Sequence, residues 1–61
     1  MITLDNIEEK LIKVTMQKKN VTRAQAERVA SAAVKFIKNP ATLESFLSGV
    51  GPDTRQKLEE V

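Results

Sequence analysis

Eight cationic residues occupy the middle of the sequence, Lys10, Lys13, Lys18, Lys19, Arg23, Arg28, Lys35 and Lys38, and between them stands a single acid, Glu27. Lysine ammonium groups and arginine guanidinium forks bind phosphate oxygens or carboxylates, so two chemistries are open. Lys18, Lys19, Arg23, Arg28 and Lys35 are the candidate contacts to a nucleic-acid backbone. Arg28 and Lys35, seven residues apart, are the candidates for orienting an acidic protein surface. Base reading has little to draw on, because Trp and Tyr are absent and no Asn or Gln array accompanies Gln25. The acids lie to either side: Asp5, Glu8 and Glu9 before the basic stretch, Glu44, Asp53, Glu59 and Glu60 after it.

Catalytic chemistry has less to build on. His and Cys are both absent, which removes the common nucleophile-and-base arrangements and most zinc or iron sites. Glu8-Glu9 and Glu59-Glu60 are adjacent pairs, and adjacent helical residues diverge by about 100°, so they read as solvated carboxylates. Gly49-Val50-Gly51 lacks the lysine, the further glycines and the preceding strand of a phosphate loop, and reads as a helix ending. The expectation is a chain that is not an enzyme, with no catalytic, cofactor or metal residues and no small-molecule substrate.

The elements that carry these residues are helices. Val21 to Lys38 is the longest uninterrupted helical stretch: Thr22 and Gln25 have capping-box spacing, the interior is rich in Ala, and Asn39-Pro40 closes it. Val29, Ala33, Phe36 and Ile37, with Ala26 and Ala30 beside them, recur at helical spacing as one apolar face. Before it, Thr3 can cap a helix whose early acids and late lysines suit the helix dipole, with Leu4, Ile7, Leu11 and Val14 as its seam. Ile12 and Met16 fall off that seam and point to a second contact. Asn20 suits a left-handed cap at the joint. Asn39 and Pro40 open a third helix with Leu43, Phe46 and Leu47 inward, which Gly49 ends by supplying a positive φ. Asp53 and Gln56 have the spacing to start a last short helix, whose order depends on a contact made by Leu58.

With 61 residues and 6.8 kDa, the chain has room for one domain, and stapling by cysteine is excluded. Hydrophobic residues at 41% and charged ones at 30% suit a folding chain, and no apolar run is long enough to span a bilayer. The N-terminus lacks the pattern of a secretion signal, so the expected location is cytoplasmic with no membrane partner. A net charge of +2 is too small to identify a nucleic-acid binder by itself.

The opening forty residues look like the helical hairpin of the histone-like nucleoid proteins, the matching words being IEEKLIKV and VTRAQAERVASAAVKFI. The β-sheet saddle and arms that bind DNA in that family have no counterpart in the remaining third of the chain. The resemblance therefore implies dimerisation through the hairpin rather than DNA wrapping, and the chain is not assigned to the family.

The sequence thus predicts an all-α single domain, 1–61: three helices near 4–17, 22–38 and 41–48, and a short C-terminal fourth at 54–60. Its expected core is Ile7, Leu11, Val14, Val29, Ala33, Phe36, Ile37, Leu43, Phe46 and Leu47. The expected role is a protein–protein interaction module, a regulator, adaptor or assembly factor, acting as a homodimer with Ile12, Met16, Arg28, Val34 and Lys35 at the interface and an acidic protein as partner. The alternative is a nucleic-acid-binding dimer using the basic patch around the first helix–helix turn.

Overall fold

The computed structural model describes all residues, Met1–Val61. Four helices follow one another without a strand: α1 (Ile7–Lys19), α2 (Arg23–Val34), α3 (Pro40–Gly49) and α4 (Pro52–Glu60). The fourth helix is a full element that starts two residues ahead of the expected position, and the all-α architecture is as expected.

Most helix ends follow from local chemistry. Ahead of α1, Thr3 Oγ1 accepts from the Asn6 amide at 3.3 Å while Asn6 Oδ1 accepts from the Thr3 amide at 2.7 Å, a reciprocal cap over a turn that delays the helix to Ile7. Asn20 ends α1 with φ 51°, its N–H donating to the Met16 carbonyl. Thr22 and Gln25 form the expected capping box, and Asn39 caps α3 with Pro40 at its first position. Two ends differ. Gly49 is the last residue of α3 and has no positive φ; the positive φ, 90°, belongs to Gly51, which stands as N-cap of α4. Asp53 consequently lies inside the first turn of α4 and caps nothing, although its charge suits the dipole there.

The helix α2 stops at Val34, four residues short of the expected end. Its last turn tightens into i→i+3 bonds, Phe36 N–H to the Ala33 carbonyl at 3.1 Å and Ile37 N–H to Val34 at 2.9 Å. The amides of Lys38 and Asn39 then turn away to Thr42 Oγ1 at 2.8 and 3.0 Å. This brings Ile37 into the core, 6% exposed.

The helices touch in the order α2–α1–α4–α3, and α2 and α3 do not pack on one another. The hub is α1. It is buried on two sides: Lys10 and Ile12, two residues and therefore about 200° apart around the axis, are both in the interior. Ala26 and Ala30, each 0% exposed, form the centre of the contacting face of α2. Their lack of bulk lets α1 approach closely, which turns the flanking Val29 and Phe36 outward. Those two, expected in the core, are exposed. Ile7, Leu11, Val14, Ile37, Leu43 and Leu47 are buried as expected, Ala33 and Phe46 pack half-buried against them, and Leu58 is completely covered.

Candidate interaction surface

The turn between α1 and α2 sets the geometry of the cations. Val21 and Thr22 run back along α1, so that Arg23, the first residue of α2, reaches Glu9, fourteen residues earlier. Its Nη2 donates to both oxygens of Glu9 at 3.0 and 2.9 Å, and its Nε to Glu27 Oε2 at 3.1 Å, one turn along α2. The guanidinium is held above the ordinary arginine range, first by its hydrogen bond and charge interaction with Glu9 and then by Glu27. Lys18 turns elsewhere, its Nζ donating to Thr54 Oγ1 of α4 at 2.7 Å. Lys19 is exposed at the end of α1. The five residues expected to form a phosphate-binding patch are therefore not one patch: Arg23 sits between two carboxylates and Lys18 is directed at α4.

Arg28 and Lys35 remain together. They line a shallow surface trough on the outer side of α2 with Ala24, Glu27, Ser31 and Ala32. Neither enters an ion pair or a side-chain hydrogen bond, whereas Glu27, at the edge of the trough, is engaged by Arg23. Beside this cationic edge stand Val29, 54% exposed, and Phe36, 78% exposed. Val29 lies on α2 with Ala32 between it and the Arg28–Lys35 edge, and Phe36 follows two residues after the helix, in its tightened last turn. The outer face of α2 and the turn that ends it thus present two exposed apolar side chains, Val29 and Phe36, and beside them two unpaired cations, Arg28 and Lys35.

The other interface candidates separate. Ile12, expected at the interface, is buried in the single chain, 5% exposed, and lines a depression with Arg23 and Glu27 of α2. Met16 is 37% exposed on α1, and Val34 is half-buried against the core. Only Arg28 and Lys35 of the five lie on one open surface.

Two residues to which sequence reasoning gives other roles matter most. Phe36 reads as inward in the sequence because an apolar face cannot be centred without knowing which neighbour arrives. Lys10 reads as one more solvated cation, yet its Nζ is inserted at the C-terminal end of α4, donating to the carbonyls of Leu58 at 2.9 Å and Val61 at 2.7 Å. A signal for it exists: Lys10 stands three residues after Ile7 and four before Val14, on their face of the helix.

A second depression, lined by Asp5, Glu8, Glu9, Ile12, Arg23 and Glu27, contains the Arg23 ion pairs. Searches against protein-family models, curated proteins and solved structures give no match to the chain. No helix is long and apolar enough to cross a membrane.

Proposed function

We propose that this chain is a non-enzymatic protein–protein interaction module, a regulator, adaptor or assembly factor that presents the outer face of α2 to another protein. The observation that carries this reading is Phe36, an aromatic side chain left 78% exposed at the end of that face. Covering such a side chain contributes about 1.5–3 kcal/mol, and aromatic anchors ringed by polar residues are the usual centres of binding energy at interfaces. Val29 extends the apolar strip, while Arg28 and Lys35 supply charge at its rim, where it accelerates and orients encounter with an acidic surface. The nucleic-acid alternative is weakened by the pairing of Arg23 with Glu9 and Glu27 and by the direction of Lys18, since backbone affinity rests on the sum of free cations.

The test is site-specific photo-crosslinking in the native host, with a benzophenone amino acid in place of Ala32, between the strip and the cations, and, as control, in place of Lys13 on the exposed side of α1. A discrete protein adduct from position 32, absent from position 13 and lost on Phe36→Ser, is expected. Adducts that ignore Phe36 or arise equally from both positions would sink the reading.

A further inference from the structure

Resting on the docking reading of α2, we infer that the segment received there is an acidic amphipathic helix of another protein, and that a second copy of this chain does not fit the same face. The spacing argues for a helix. Val29 and Phe36 are seven residues apart, as are Arg28 and Lys35. Arg28 to Lys35 runs two turns of α2 to its C-cap, about 10 Å, while Val29 to Phe36 runs beside it and ends in the tightened turn after the helix, with Ala32 between the two strips. A helical ligand that presents apolar side chains at a seven-residue interval, with Asp or Glu along one flank at the same interval, meets both strips at once. Ala32 keeps the floor between them low, and Ala24 and Ser31, on the far side of the Arg28–Lys35 edge, leave room for the acidic flank of such a ligand.

Charge decides between a foreign helix and a second copy. The apolar strip alone would suit self-association: Val29 and Phe36 are equidistant from the midpoint of Ala32 and Ala33, so a twofold axis there would set Val29 against the partner's Phe36. That symmetric pairing also brings flanks of the same kind together. Arg28 would lie alongside the partner's Lys35, and Lys35 alongside the partner's Arg28, which places four cations along one seam. Glu27 offers no relief, because its carboxylate is already held by Arg23 at 3.1 Å. Like charges facing one another select against the wrong partner, and here the partner selected against is the chain itself.

The experiment uses the full chain and two labelled synthetic helices with the same leucines at seven-residue intervals, one flanked by Glu and the other by Lys, read by fluorescence anisotropy at low salt. The Glu-flanked helix should bind about tenfold or more tightly than the Lys-flanked one, because two attractive charge pairs stand where the other helix meets two repulsions. Arg28→Glu with Lys35→Glu should invert the preference, and Phe36→Ser should abolish both bindings, with helical circular dichroism retained in each variant. Equal affinities, a preference for Lys, or no binding of either peptide at millimolar concentration would overturn the inference. So would sedimentation equilibrium showing a dimer that Phe36→Ser dissociates, which would make a second copy the occupant. A partner crosslinked at position 32 through a segment that is neither helical nor acidic would overturn this inference while leaving the interaction-module reading intact, so the two fail separately.

Discussion

Lys10 donates to the Leu58 carbonyl at 2.9 Å and so ties the hub helix to the last turn of the final one. The same Nζ reaches the Val61 carbonyl at 2.7 Å. A positive charge at a helix C-terminus offsets the dipole, and these bonds supply carbonyls that have no partner within α4. Lys10→Met keeps the stem and removes both bonds. It should lower stability by about 1.5–3 kcal/mol, whereas Lys13→Met on the exposed side of α1 should stay within about 0.5 kcal/mol. Chemical denaturation followed by circular dichroism measures both. Equal effects would show that the buried ammonium is not a structural tie.

Phe36 and Ala30 exchange the importance that their sizes suggest. Phe36→Ala should cost no more than about 0.5 kcal/mol, because the ring is 78% exposed, while Leu58→Ala, deep in the core, should cost about 2–5 kcal/mol. Ala30→Leu, which thickens the α1–α2 contact, should cost about 1–3 kcal/mol despite adding apolar volume. Melting curves of the three proteins in one buffer make the comparison. A Phe36→Ala protein as damaged as Leu58→Ala would contradict the packing.

The two glycines should respond in opposite directions. At Gly49 the backbone is helical and an added Cβ meets nothing within 4 Å, so Gly49→Ala should stabilise by about 0.4–1 kcal/mol by restricting the unfolded chain. At Gly51, with φ 90° and ψ 158°, the added Cβ is equally free of neighbours but the conformation is close to glycine-only, and Gly51→Ala should cost about 1–3 kcal/mol. Urea midpoints for the pair decide the matter. Matching shifts would mean that the turn before α4 is built otherwise.

Arg23 should add salt dependence without pH dependence in the neutral range. Its pKa in the folded chain is raised by Glu9 first and Glu27 second, so its contribution is fully present below the ordinary arginine value and is lost only as pH climbs past the raised one. Titration of this guanidinium therefore removes no stability between about pH 7 and 10. The pairs are half-exposed and screened by salt. Raising sodium chloride from low to molar concentration should lower the melting temperature of the parent more than that of Arg23→Gln. Parallel salt curves would mean that the pairs add nothing to stability.

Caps are legible in the sequence because they are local. Thr22 with Gln25, Asn39 with Pro40, and Asn20 each settle a helix end within four residues, and the structure places all three as their chemistry requires. The orientation of α2 is not legible. Periodicity identifies an apolar sector, but Ala26 and Ala30 become its centre through the close approach of α1, a tertiary choice that no residue of α2 announces. The candidate surface inherits that difficulty: Arg28 and Lys35 can be read as neighbours from their spacing, whereas the exposure of Phe36 and the diversion of Arg23 to Glu9 emerge only from the fold.

The contact order α2–α1–α4–α3 has a consequence for the chain during synthesis. The first two helices can meet as soon as Val34 has left the ribosome, but one flank of α1, with Lys10 and Leu11, waits uncovered for a helix that begins only at Pro52. Since the exit tunnel holds back the most recently made residues, α4 is the last of these four helices to emerge, and the hub can be sealed only after translation has passed this region. Until then the nascent hairpin exposes two surfaces, the permanent one beside Phe36 and a temporary one that Leu58 later closes.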